Sequence, residues 1–104
     1  MGYYVEDEIR VGRFSLDCYV RETHLGYEAD GRRYHQGVAK RAKDAARDAW
    51  IEKHAGIPVL RVPERLLKPV NDADLTDLLV TWTLRHAGTA EERRCVAEDN
   101  LGGV

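Results

Sequence analysis

Apolar and polar positions alternate with a period of two along the N-terminal third of the chain. Phe14, Leu16, Cys18 and Val20 interleave with Ser15, Asp17, Tyr19 and Arg21, and Ile9 and Val11 sit among charged neighbours. Such alternation predicts strands with one buried face. Gly12-Arg13 marks a turn between the two runs. After the polar connection Arg21-Glu22-Thr23-His24, a third run sets Leu25, Tyr27 and Ala29 against Gly26, Glu28 and Asp30, and Asp30-Gly31 ends it. The prediction is a three-stranded antiparallel meander over residues 5–30, with Asp17 and Tyr19 facing away from Phe14, Leu16 and Cys18.

The period then lengthens. Val38, Ala42, Ala45, Ala46, Ala49 and Trp50 recur at three- and four-residue steps, which predicts a helix over 38–54 that buries this stripe. Lys40, Lys43, Arg47 and Lys53 lie largely off it. Gly56 ends the helix and Pro58 prevents its resumption. Val59-Leu60-Arg61-Val62 reads as a short strand placed beside the meander. Pro63 to Leu67 is one helical turn. Asn71 or Asp72 caps a further helix to about Ala87, with the stripe Leu75, Leu78, Leu79 and Trp82, and Gly88 closes it. From Thr89 polar residues and Gly102-Gly103 predict a flexible tail. The order βββαβα is that of an α+β domain over 1–88, followed by a tail over 89–104.

Composition fits one thin-cored domain. The 104 residues are 43% hydrophobic and 33% charged, and a chain of this length buries roughly 60–70% of its unfolded surface. No apolar run approaches the ~20 residues of a membrane span. The start, Met-Gly-Tyr-Tyr-Val-Glu-Asp-Glu, lacks the basic and apolar parts of a secretory signal, so a cytoplasmic location is expected, with no membrane partner. Cys18 and Cys95 form neither a disulfide framework nor a C-x-x-C metal site and are expected as reduced thiols. The net charge of −2 conceals a segregation: residues 1–30 carry seven acids and three bases, 31–53 seven bases and three acids, and 54–104 six bases and eight acids. The local basic stripe suffices for phosphate contact; a solvated helix face balanced by acids explains it equally.

The strand register brings chemistry with it. If the second and third strands pair, Asp17 sits beside Glu28 on one side of the sheet. Crowded carboxylates repel unless a cation neutralises them. Carboxylates with a backbone carbonyl are usual oxygen ligands of Mg²⁺, and such an ion can activate a water against a phosphodiester. Taken singly, each residue has a plainer explanation. Asp17 and Glu28 are solvated strand acids, Asp30-Gly31 is a tight-turn dipeptide, His35 is a surface histidine, and Arg47-Asp48 is a surface pair worth little. The lone His24 and His86 carry no signal. Trp50 and Trp82 occupy stripe positions and are expected in the core.

Taken together, the residues form a series. It runs from Leu16-Asp17 through Gly26-Tyr27-Glu28-Ala29-Asp30-Gly31 and Tyr34-His35 to Lys43-Asp44-Ala45-Ala46-Arg47-Asp48-Ala49-Trp50 and Gly56-Ile57-Pro58-Val59-Leu60-Arg61-Val62. This series resembles the very-short-patch-repair endonuclease-like branch of the PD-(D/E)XK restriction-endonuclease-like superfamily, a branch that also holds the EDxHD homing endonucleases and many small bacterial and phage proteins. The resemblance covers residues 14–67. It implies a restriction-endonuclease-like core, Mg²⁺ or Mn²⁺ as cofactor and DNA as partner. Asp17 and Glu28 match the metal-binding acids, with the Ala29 carbonyl as a further ligand. Asp30 stands where the wider superfamily has its catalytic Lys. His35 matches the general base or acid, Asp44 and Arg47 match helix residues that support the site or touch phosphate, and Lys43 supplies the missing positive charge. The helix that normally precedes the first strand has no counterpart, and Glu6 or Glu8 are the acids nearest its place.

The expectation is therefore a metal-dependent DNA endonuclease of nicking, homing or junction-resolving type in a bacterial cell or phage-infected host, with a homodimer as its expected assembly. Its catalytic residues are Asp17, Glu28, Asp30, His35 and Lys43, its metal ligands Asp17, Glu28 and Ala29, and its phosphate contacts Arg32, Arg33, Lys40, Arg41, Lys43 and Arg47. The alternatives are a non-catalytic nucleic-acid-binding module that uses the same bases, and a partner-binding domain with neither activity.

Overall fold

In the computed structural model, residues 5–30 and 37–102 are described. The alternating N-terminal runs form β1 (Val5–Val11), β2 (Phe14–Val20) and β3 (Leu25–Asp30), followed by α1 (Val38–Ala55) and β4 (Val59–Pro63). Two 3-10 turns, Glu64–Leu67 and Pro69–Asn71, lead to α2 (Asp72–Arg85) and α3 (Ala90–Leu101). The sheet order is β1-β2-β3-β4. The first three strands pair antiparallel, and β4 joins β3 in parallel. A parallel neighbour requires a crossover, and α1 supplies it. Among the described residues the protein is thus an α+β fold with a four-stranded mixed sheet and three α-helices, and none of the helices is long and apolar enough to cross a membrane.

The core lies between α1 and the sheet. Val11, Leu16, Tyr19, Ile51, Ala55 and Ile57 are buried there, with Ile9, Phe14, Trp50, Val59 and Leu101 packed around them. Leu16 and Tyr19 share this core although they lie three positions apart, so the alternation expected along β2 does not hold past Asp17. The departure is local. The β1–β2 ladder passes from Asp7↔Cys18 to Ile9↔Leu16 without a Glu8–Asp17 pair, and Glu8 is left-handed at φ 50. The register is the same on both sides of the break, so no residue is inserted and only the Glu8–Asp17 pairing is lost.

Three further expectations give way. The stripe assigned to the core face of α1 is largely outside: Val38 is 75% exposed, and Ala42, Ala45, Ala46 and Ala49 are exposed too. Asp44, Arg47 and Asp48, with Ile51 and Ala55, turn inward instead. Alanine gains little from burial, whereas the charged side chains gain partners on the sheet. The stripe of α2 is only half-buried, Trp82 included, and no residue of this helix is fully buried. Residues 90–101 are helical rather than a flexible tail. Their polar sequence hides two arginines that satisfy backbone carbonyls. Arg93 donates to Thr23 O at 2.8 Å, to Gly56 O at 3.2 Å and also to His24 O, and Arg94 donates to Arg21 O at 2.8 Å and Glu22 O at 2.6 Å. With Ala97 2% exposed, these bonds dock α3 on the β2–β3 turn.

That turn also holds His24, 2% exposed and left-handed at φ 54. Its Nε2 lies 2.7 Å from the Ala55 carbonyl and its Nδ1 lies 2.6 Å from the Tyr19 hydroxyl. A carbonyl only accepts, so Nε2 carries the proton and Nδ1 accepts from Tyr19. The imidazole is a satisfied structural group. Burial lowers its pKa from 6.5, and Arg93 and Arg94 push the same way. Below pH 6.5 the unfolded chain therefore binds a proton that the folded chain refuses, and stability falls as pH drops toward the folded value. His86, whose pKa burial also lowers, adds to the slope. Thermal melts between pH 7.5 and 5 should show Tm declining over this window, and His24→Asn, which tolerates a left-handed backbone, should flatten the decline. An unchanged slope in that variant would refute the assignment.

Candidate functional site

The β2–β3 ladder stops at Cys18↔Tyr27. The next pair in register, Asp17 and Glu28, is joined by side chains instead of backbone. The Asp17 N–H donates to the Glu28 carboxylate at 2.8 Å, and the Ala29 N–H donates to Asp17 Oδ2 at 3.1 Å. Each acid thus reaches across to the backbone beside the other, and the two strands part around them. Asp17 is exposed and Glu28 is half-buried. Because β1 also skips its pair with Asp17, β2 is released from both neighbours at this one residue.

Charge on α1 and β4 continues the site. Arg47 Nη2 lies 3.2 Å from Glu28 Oε2 and also donates to the Ser15 carbonyl. Its Nη1 lies 3.2 Å from Asp48. Arg61, opposite Glu28 in the parallel register, grips Asp48 with two bonds, of 2.7 and 3.0 Å. It also lies 3.9 Å from Asp44, which Lys40 meets at 2.8 Å. An alternating chain of acids and bases therefore runs from Glu28 to the solvent end of α1. The Lys40 hydrogen bond, with Arg61 nearby, holds the Asp44 carboxyl below its ordinary range, and the Asp48 hydrogen bonds push the Arg61 guanidinium up. Burial, with Asp7 and Asp17, raises the Cys18 thiol, which disfavours the thiolate and any nucleophilic role beside the acids.

Taken singly, Arg47-Asp48 is expected as a surface pair, whereas the resemblance assigns Arg47 to the site. Their side chains are only 19% exposed and each bonds to a different strand. Arg61 and Asp48 were not among the expected site residues. A lone arginine within Val59-Leu60-Arg61-Val62 was the available signal, because a charge in a buried strand needs a partner. Asp48→Ala strands the Arg61 guanidinium. Since Arg61 and Asp48 keep 24% and 19% exposure, the expected loss is about 1–3 kcal/mol, below the roughly 3–5 kcal/mol of a fully buried pair. Urea unfolding measures it, and an unchanged midpoint would show that the pair is dispensable.

Of the other expected residues, Asp30 ends β3 opposite Pro63 and is half-buried. Lys43 is exposed on α1 and lines a groove with Lys40 and Arg47. The cation set against Glu28 is Arg47 rather than Lys43. Arg41 is exposed on the same helix. Arg32, Arg33 and His35 lie outside the described residues. Among the described residues no third Asp, Glu, His or Cys completes a metal-holding group with Asp17 and Glu28. Two carboxylates with a carbonyl and waters still fit Mg²⁺, which keeps much of its hydration shell.

Comparison of the chain with protein-family models, with characterised proteins and with solved structures finds no match.

Proposed function

We propose that the protein is a metal-dependent DNA endonuclease built on a restriction-endonuclease-like core. The observation that carries this reading is the meeting of Asp17 and Glu28 in the opening between β2 and β3. Along an extended strand the N–H and C=O of one residue point the same way. The Ala29 N–H turns to Asp17, so its carbonyl faces the same opening and adds a third oxygen. Bound there, a Mg²⁺ or Mn²⁺ ion supplies an activated water and offsets charge on a phosphate oxygen. The chain's own part is to hold the acids rigidly through backbone N–H bonds, to keep Arg47 beside Glu28, and to offer Lys40 and Lys43 to the DNA backbone. His35 carries the proton-transfer role and Asp30 takes the place of the superfamily's lysine, both by resemblance. A homodimer spans a duplex or junction better than one small domain does.

One observation favours a second reading. Arg47 already neutralises Glu28, as befits a non-catalytic nucleic-acid-binding module. Incubation with supercoiled plasmid, linear duplex and a four-way junction, each with Mg²⁺, Mn²⁺ or EDTA, separates the two. Cleavage of at least one substrate with metal, lost in EDTA and in Glu28→Ala, is the expected result. DNA binding indifferent to metal, with no substrate cut, would establish the module and remove the enzyme.

A further inference from the structure

Between the tip of the β1–β2 hairpin and α1 lies a groove of about 460 Å³ that the metal chemistry does not use. Arg13, Phe14, Lys40, Lys43, Arg47 and Trp50 line it. Four of the eight lining residues are cations, and the acid in the groove, Asp44, is engaged by Lys40 at 2.8 Å. The two aromatic rings meet edge to face, with centroids 5.4 Å apart. The Arg13 guanidinium lies over the Phe14 ring at 5.0 Å, Arg47 lies 5.9 Å from the same ring, and Trp50 meets His54 at 4.6 Å, so a base reaches Phe14 by taking the place of a guanidinium that moves to a phosphate. The wall is fixed from behind. A Cβ at Gly12, φ +59, would fall 2.5 Å from Trp50 Cη2, so only glycine lets the hairpin tip rest on the indole. Phe14 opens β2, three residues before Asp17, and Arg47 both lines the groove and pairs with Glu28. Groove and carboxylates are therefore neighbours.

We infer that the groove is a nucleotide subsite: it takes one unpaired nucleotide of a DNA strand, base against Phe14 and Trp50, with flanking phosphates on Arg13, Lys40 and Lys43. The choice of DNA as the polymer rests on the endonuclease reading; the recognition chemistry rests on the groove. Aromatic rings accept any base, because every base has a π face, whereas a base stacked within a duplex has none to spare. Cations beside such rings track the backbone. The preferred substrate class is therefore single-stranded DNA, or branched DNA with unpaired nucleotides at the branch, over uninterrupted duplex.

Fluorescence anisotropy in EDTA tests this without cleavage. The probes are a labelled twelve-nucleotide oligo(dT), the same backbone with abasic sites, and a twelve-base-pair duplex. Oligo(dT) should bind about tenfold or more tighter than either of the others, the scale of one stacked base. Phe14→Leu, which keeps apolar packing, should erase most of that ratio. Lys43→Gln, on the exposed helix surface, should weaken all three probes and lower the salt slope by about 0.7 for single strands. Thermal melts confirm that both variants fold; if Phe14→Leu does not, the abasic comparison on the wild-type chain still decides. Equal affinity for abasic and normal oligomers, or for duplex and oligo(dT), overturns the subsite. Because no metal is present, that failure is separate from a failure to cut DNA.

Discussion

Alanine at position 56 is expected to cost more than about 3 kcal/mol of stability, a large share of the roughly 5–15 kcal/mol available to a domain of this size. Gly56 caps α1 in the left-handed region at φ 66, and its N–H donates to Glu52 O at 2.9 Å. A side chain there carries a penalty of about 1–2 kcal/mol from backbone sterics alone. The larger part comes from α3. A Cβ on residue 56 would press into the Arg93 main chain, 2.8 Å from its carbonyl carbon and 2.9 Å from its Cα, and closer still to its oxygen. A backbone cannot rotate out of the way as a side chain does, so α3 must lift from α1. It would take with it the Arg93 bonds to Thr23 and Gly56. Gly88→Ala is the control, because nothing lies within 4 Å of a Cβ there. Urea unfolding of both variants measures the difference, and a loss below about 1 kcal/mol for the first would show that α3 is not seated as described.

Asn in place of Asp17 should separate chemistry from architecture. The amide is the same shape, and its oxygen can still accept the Ala29 N–H that Asp17 Oδ2 accepts at 3.1 Å. Stability should therefore stay within about 1 kcal/mol of the parent. A neutral amide is a poor ligand for a hard dication, and the two-carboxylate site has little charge to spare. Metal-dependent cleavage should fall about 10³-fold, equivalent to about 4 kcal/mol of barrier. Titration calorimetry with Mn²⁺ should lose its heat in parallel. A folded Asp17→Asn variant that cuts plasmid at the parental rate would end the metal assignment.

Much of the architecture was legible in the sequence because it rests on local periodicity. Alternation marked β1 to β3, the lengthened period marked α1 and α2, and Gly56-Ile57-Pro58 placed the end of the first helix. Long-range pairing was not legible. The inward face of α1 is set by Glu28 and Arg61, residues on strands that the helix meets only in the fold, so a count of apolar side chains chose the alanine stripe instead. The break in the ladder between Glu8 and Asp17 falls on one left-handed residue that sequence does not announce. The third helix was hidden because its anchors are arginines that bind carbonyls, which composition scores as solvent-seeking. At the site, the meeting of Asp17 and Glu28 followed from strand order and from the parity of side chains along paired strands. The Arg47–Asp48–Arg61 relay did not, because ion pairing between elements leaves no periodic trace.

β1 is one of the two outer strands of the sheet, with β4 at the other edge, and an outer strand offers unpaired backbone groups to any passing chain. Here it carries Glu6, Asp7 and Glu8 in succession, and Glu8 breaks its extended line. A second copy laid along it would face consecutive like charges and a kinked template. The residue opposite Asp17 in the broken ladder therefore also disfavours edge-to-edge pairing along β1.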